Sequence, residues 1–588
     1  MRRLPLLLLA VLAFLAPGCG GGGGGPSLID FIYTTDWTGG LASLSQRIRI
    51  SNPTTGSLIE RSMNNDSGGS QSATFGSMTS GTYKIEVILY SQPNSSGTIL
   101  GTITDQISIN GSNKTYLSDI NNAPTSVVVK PNNATIQVQS SIQLYAVVKD
   151  SGGINLFNSP TGFTWQALNA QVTVNVQGIV VGQAQGQGQV RATDVNSALF
   201  NSAVINVQPF QTTTSKWTVL VFINAANDLD QYSDLNVNQM ERAASNDVRF
   251  VVQWKRVQAL GFGSPWTATR RYLVKPDSTS GNNWADVKSD LVQDMGTTVD
   301  MGDKATLNQF INWGQTYYPA ERYIVVVWNH GSGWRDNDDR PAPTRGVSFD
   351  DEYGTYIKTS ELSQALAAPT KLEIVSWDAS LMQMLEVAYE IRNQCNYVVG
   401  SEESPPGEGL PYDRIFTPLK NNPNQPTESF LPQFGIGMLA QYGESRKITQ
   451  SSIRTSNLPA LTTAVNVLGQ ALIDTLGTFN GQIVQARNPN TTQAYSPENL
   501  NHPYYRDLYD LAFNLKALIN DTTVDNACDQ VMAAVTAAVV HNTNNSQSPR
   551  SRGISIEFGN SAQTYWTTYN LLALSVATVW NDWLQVAP

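Results

Sequence analysis

Cysteine and histidine are scarce in this chain. Three of each occur in 588 residues: Cys19, Cys395 and Cys528, and His330, His502 and His541. Residues so few and so widely spaced exclude a Cys/His cluster with the spacing of a structural zinc site. They exclude a disulfide framework too, since one bond at most could form if Cys19 is used elsewhere. Cys395 and Cys528 sit in helix-like apolar patterns, which points to buried thiols. Charge is also thin, with 14% charged residues, 37 basic against 47 acidic, and a net charge of −10. No Lys/Arg-rich block follows the first three residues, so the chain lacks the electrostatic footprint of a nucleic-acid binder. Past the N-terminal leader, no segment is long and apolar enough to span a membrane. Hydrophobic residues, at 41%, are plentiful enough for large cores. Length alone suggests about three to five domains.

The N-terminus reads as an address. Arg2 and Arg3 precede an apolar run from Leu4 to Pro17, and Gly18-Cys19 follows. Such a run is too short to cross a bilayer as a mature helix but suits a signal peptide. Small residues ending in Gly-Cys resemble a bacterial lipobox, which implies cleavage before Cys19 and lipid on its sulfur. Ala16 and Pro17 depart from that pattern, where Leu and a small residue are commoner, and plain secretion with an incidental cysteine is the alternative. The run Gly20 to Gly25 fits a flexible tether. The expectation is a lipoprotein-type signal peptide over 1–19, a tether over 20–27, and an exported, lipid-anchored bacterial membrane protein facing the periplasm or the cell exterior.

Residues 28–120 read as short strands separated by Asn/Gly/Ser/Pro turns, for example "QRIRISN", "SATFGS" and "GTYKIEVILYS", and predict a small β-sandwich. Residues 123–208 stay β-like. Trp165 before a short turn and the "G-x-V-x-G-x-A-x-G" stretch from Gly178 to Gly186 resemble a bacterial immunoglobulin-like module, which implies a spacer or an adhesion unit. A linker, 209–216, follows.

Beyond it the pattern changes to α/β. "WTVLVFINA", "VRFVVQWKR", "RYIVVVWN", "LEIVSW" and "YVVGS" are apolar runs of the kind buried on both faces. Helical stretches such as "LDQYSDLNVNQMERAAS", "TLNQFINWGQTYY", "KTSELSQALAA" and "LMQMLEVAYEIRNQC" alternate with them, which predicts a mostly parallel sheet covered on both sides. Residues 430–588 look mainly helical, with one late strand, "GISIEF", placed to join the sheet edge.

Parallel sheets bind ligands at the carboxyl ends of their strands. Two such ends carry chemistry. "RYIVVVWN" runs into "HGSGW", which puts His330 on a glycine-rich turn; "LEIVSW" runs into "DAS", which puts Asp378 and Ser380 before a helix. Imidazole, hydroxyl and carboxylate could converge there, with Gly331 and Gly333 letting backbone N–H groups approach a reacting carbonyl. Plainer roles fit the same residues. Ser380 and Gln383 match a helix capping box, His330 could be an ordinary polar turn residue, and Asp378 could serve the helix N-terminus.

The ordered strings "VLVFINAANDLDQYSDLNVNQME", "NQFINWGQTYYPAERYIVVVWNHGSGW", "WDASLMQMLEVAYEIRNQCNYVVGSEESPPGEGLPY", "YRDLYDLA" and "RGISIEF" resemble the clostripain family of cysteine endopeptidases, over residues 217–588. The resemblance implies the caspase–gingipain–legumain fold. It carries the family's histidine to His330 and its nucleophile to position 380, with the backbone N–H groups of Gly331 and Ser380 as oxyanion donors. It implies that Asp378 receives an Arg or Lys side chain, and that calcium is a possible cofactor. The family's nucleophile is cysteine; this chain has serine. A thiol of pKa ~8.5 ionises readily beside a histidine, whereas a hydroxyl needs a base to take its proton during attack. Cys395 lies 15 residues beyond Ser380 and, on one helix, would be about 22 Å away, the wrong end.

The architecture expected is therefore multidomain: two N-terminal all-β sandwich modules, then a caspase-like α/β domain with a mainly helical C-terminal extension. Three functions stay open. The chain is a cell-surface endopeptidase acting on proteins or peptides after Arg or Lys through Ser380, a pseudopeptidase that binds peptides or partners without cutting, or a surface adhesion or scaffold lipoprotein.

Overall fold

The computed structural model describes residues 29–37, 44–52, 58–65, 68–110, 114–120, 122–208, 213–257, 266–277, 287–336, 345–487, 504–559 and 565–588. The leader, Cys19, the glycine tether and His502 lie outside the described residues. The chain divides into two compact units. One comprises residues 1–134, 144–166 and 190–204; the other comprises 135–143, 167–189 and 205–588.

In the first unit, strands Leu58–Asn64, Ser45–Ser51, Gly81–Gln92 and Ser96–Ile109 form one antiparallel sheet. A six-stranded sheet runs through Ser70–Met78, Ile29–Asp36, Lys114–Asp119, Asn155–Leu156, Tyr145–Lys149 and Ser126–Lys130. Period-two burial decides the faces: Ile29, Phe31 and Tyr33 turn inward while their neighbours do not. They meet Ile48, Ile50, Ile85 and Val87 of the other sheet in one core. Asn155 pairs with Ser118 and Leu156 with Asp119, which joins these two strands in parallel.

The second unit is built on a nine-stranded sheet. Its strands are β1 (Ser215–Ala225), β2 (Val248–Arg256), β3 (Ala268–Leu273), β4 (Asp290–Asp294), β5 (Ala320–Trp328), β6 (Leu372–Asp378), β7 (Cys395–Gly400), β8 (Thr449–Arg454) and β9 (Val539–Asn544). They lie in the order β4-β3-β2-β1-β5-β6-β7-β8-β9. The inner five, β2-β1-β5-β6-β7, are parallel; the strands outside them are antiparallel. Of the eleven residues of β1, only Lys216 is not buried, as a strand covered on both faces requires.

Helices supply the covers. On one face α1 (Asp230–Ala243), α4 (Tyr412–Asn421) and α5 (Pro432–Tyr442) pack on Val219, Val221 and Ile223. On the other, α2 (Lys304–Tyr317), α3 (Leu385–Glu390), α6 (Leu458–Asp474), α7 (Leu508–Leu518) and α8 (Thr522–Ala538) join Leu220 and Phe222 in one core. Three of these helices start on aspartate caps: Asp303 accepts from Ala305 N–H, Asp507 from Asp510 N–H, and Asp521 from Thr523 and Val524 N–H.

Three expectations need correction. The late strand does not join the sheet edge: Ser555–Glu557 pairs with Tyr505–Asp507 in a separate two-stranded ribbon. The outermost strand at that end is β9, drawn from a stretch expected to be helical; its β-branched Val539-Val540 start extends and pairs with β8. The helix expected from Leu381 to Cys395 shrinks to α3, and Cys395 begins β7.

Candidate active site

The register of the parallel strands sets the site. Trp328, the last residue of β5, pairs with Asp378, the last of β6, so both strands open at the same edge. There Asn329 N–H donates to the Asp378 carbonyl at 3.2 Å. His330 and Ser380 therefore leave the sheet side by side, and the two turns touch. A methyl group at Gly331 would lie 2.4 Å from the Ser380 carbonyl oxygen and 3.1 Å from Ala379 Cβ, an approach that only glycine allows.

His330, Ser380 and Asp378 line one cleft. Leu229, Trp328 and the loop Pro405 to Gly409 complete it, around about 490 Å³ of space with the open mouth included. Asp378 is 5% exposed. Its Oδ1 accepts from Leu410 N–H at 3.0 Å and its Oδ2 from Tyr412 Oη at 2.9 Å. Burial pushes its carboxyl from 3.8 up to about 7, against the pull of those two bonds. The loop beside it is pinned: Asn236 Nδ2 donates to the Glu408 carbonyl at 3.0 Å, and Tyr442 Oη to the Gly409 carbonyl at 2.6 Å. Gly409, at φ +72°, leaves room for the carboxylate, because a methyl there would sit 2.8 Å from Asp378 Oδ1.

Ser380 does not cap a helix. The next residue, Leu381, adopts a left-handed φ of +64°, which breaks any helical start at 380. Such a backbone costs on the order of 1–3 kcal/mol and persists where its surroundings hold it. Here Leu381 is buried, its N–H reaches the Glu403 carbonyl at 3.4 Å, and Gln383 N–H donates to the Ser401 carbonyl at 3.2 Å. The capping-box pairing of Ser380 with Gln383 is thus absent; Gln383 instead donates its side-chain amide to Ser451 Oγ at 2.8 Å. A turn of this shape presents the residue before it, and Ser380 is part-exposed in the cleft.

The His330 side chain is 44% exposed, and its Nε2 lies 2.7 Å from Asp228 Oδ1. Asp228 lies three residues beyond the end of β1, at the same ligand edge, and no motif in the sequence singles it out. Asn329 holds the histidine turn: its Nδ2 donates to the carbonyls of Asn224 at 2.5 Å and Phe349 at 3.1 Å, and its Oδ1 accepts from Phe349 N–H at 2.8 Å. The other candidates lie elsewhere. His541 is on β9, bonded to Thr543 Oγ1. Cys395 starts β7, opposite Leu372 at the far edge of the sheet, and Cys528 lies in α8. Both are free and buried, and burial pushes each thiol up to about 12, far from a thiolate. Among the described residues no group of three or more His, Cys, Asp or Glu side chains is placed to hold a metal ion. No helix among them is long and apolar enough to cross a membrane.

A sequence model of the clostripain family (peptidase family C11) matches residues 221–586. Clostripain of Hathewaya histolytica is 27% identical over 172 residues, 27% of this chain and 32% of that protein, so the match spans about a third of the relative's length. Among solved structures, an inactive zymogen C11 protease from Parabacteroides distasonis aligns with a TM-score of 0.48 at 18% identity, over 63% of this chain and 99% of that one. A secreted C11 cysteine protease from Bacteroides thetaiotaomicron, bound to an irreversible peptide inhibitor, aligns with a TM-score of 0.46 at 21% identity and the same coverage.

Proposed function

This chain belongs to the clostripain family, and on that premise we propose that it is an exported endopeptidase that cuts after Arg or Lys, with Ser380 as nucleophile where the family uses cysteine. The observation that carries this reading is the contact of the Gly331 backbone with the Ser380 turn, at a cleft that also holds the buried Asp378.

The chemistry follows from the positions. Ser380 Oγ attacks the scissile carbonyl while His330 takes its proton, then returns it to the leaving amine. Backbone N–H groups of Gly331 and Ser380 receive the developing oxyanion. Asp378 takes the cationic side chain. An ionised carboxylate offers about four acceptor sites; Leu410 and Tyr412 use two, which leaves room for a guanidinium or ammonium group. Such a cation offsets the burial that holds the carboxyl near 7, so binding and ionisation reinforce each other.

Serine makes this a slower enzyme than a cysteine one, because its proton must leave during attack rather than before it. The leader pattern supports the rest of the proposal: Cys19 carries lipid, and protein or peptide substrates reach the cleft from the periplasm or the exterior. The test is cleavage of peptides holding a single Arg or Lys by the parent chain, Ser380→Cys and His330→Ala. The reading expects cleavage after the basic residue by the first two and none by the third. Cleavage by Ser380→Cys alone would make the native chain a peptide-binding pseudopeptidase; cleavage by neither would withdraw the assignment.

A further inference from the structure

We propose that Asp228 is a positioning residue that orients His330 for the serine, completing a Ser380–His330–Asp228 triad; this rests on residue 380 being the nucleophile. The carboxylate comes from 102 residues earlier in the chain, and its Oδ1 lies 2.7 Å from His330 Nε2. Two buried asparagines build that contact, each immediately preceding one of the partners. Asn227 Nδ2 donates to the Phe349 carbonyl at 3.0 Å, and Asn329 Nδ2 donates to the same oxygen at 3.1 Å. One backbone acceptor thus fixes both turns. Asn227 Oδ1 also accepts from Leu229 N–H at 3.0 Å, closing the turn around Asp228. Just beyond it, the start of α1 is held to β2 by the buried Arg256, 2.7 Å from Asp230 and 3.2 Å from Asp234. The carboxylate is exposed, but its backbone is anchored on both sides.

The consequence is a choice of tautomer. With Nε2–H donating to Asp228, the neutral ring keeps its lone pair on Nδ1, which is then the nitrogen available to a hydroxyl. A thiol near pKa ~8.5 can ionise before attack and has less need of this arrangement. A serine hydroxyl gives up its proton only during attack, so the imidazolium forms at that moment, beside a carboxylate that stabilises it. Asp228 is 78% exposed in the free chain, so water screens the contact. Its removal therefore costs less than the ~10⁴-fold of a buried triad aspartate, and we set the loss at about 10- to 100-fold.

The experiment measures kcat and KM on an Arg peptide for Asp228→Asn and Asp228→Glu, in the parent and in the Ser380→Cys background. The expected result for Asp228→Asn with serine is a kcat about 10- to 100-fold lower, KM within about twofold, and partial recovery in Asp228→Glu. With cysteine at 380 the loss shrinks to about threefold or less. A kcat within about twofold of the parent, or equal losses with either nucleophile, overturns the proposal. If neither parent nor Ser380→Cys cleaves, the peptidase reading itself fails and the triad with it.

Discussion

Replacing Asp378 with asparagine probes the floor of the cleft. The variant keeps both local bonds: Asn Oδ1 accepts from Leu410 N–H, and its amide donates to Tyr412 Oη, which turns from donor to acceptor. What is lost is one negative charge in a buried place. Removing one partner of a buried ion pair costs roughly 3–5 kcal/mol, which at about 1.4 kcal/mol per decade is about two to three decades or slightly more in kcat/KM. The assay compares matched peptides with arginine or its neutral isostere citrulline before the scissile bond. Asp378→Asn should lower kcat/KM for arginine by about 10²–10³-fold and leave citrulline nearly unchanged. The parent should also show a pH dependence that the variant lacks. Asp378 is neutral below about 7 and ionised above it, so KM for arginine should rise as the pH falls through that value, by about tenfold per unit well below it. An arginine-to-citrulline ratio that survives the substitution would refute the assignment of Asp378. So would a KM indifferent to pH across the same range.

Gly331→Ala should slow turnover about 100-fold while leaving the chain folded, because its methyl would meet the Ser380 carbonyl at 2.4 Å and push the turns apart. A misplacement of about 1 Å costs on the order of 10²-fold, read directly as kcat on the Arg peptide. Glu386 should instead make stability depend on pH. Burial raises its carboxyl from 4.5 to about 8, although Glu557 N–H and Tyr569 Oη donate to it. A raised folded value gives stability that is complete below the unfolded value and is lost as the pH rises through the folded one. This group therefore lowers unfolding free energy by up to about 1.4 kcal/mol per pH unit between those limits. Urea titrations across that window should show the slope in the parent and its reduction in Glu386→Gln.

Much of the sheet was legible because β1, β5 and β6 are buried on both faces, and continuous apolar runs say so. The same runs located the strand ends, and with them His330, Asp378 and Ser380. Where the reading failed, local pattern and tertiary context disagreed. Leu381, Met382 and Met384 look like part of a helix and are all buried, yet Leu381 turns left-handed with no glycine to announce it and Met384 is extended, bridging Ser555. The helix–strand switch at Val539 hides in an unbroken apolar stretch. Asp228 was invisible for another reason: its partner lies 102 residues away, and only the stacking of β1 beside β5 brings the two turns together.

The most direct measurement is covalent. The chain is incubated with a diphenyl phosphonate bearing an arginine-like side chain, and the adduct is mapped by peptide mass spectrometry. One adduct is expected, on Ser380, lost in His330→Ala and in Ser380→Ala. An unlabelled Ser380, or an adduct on another residue, would contradict the assignment of the nucleophile.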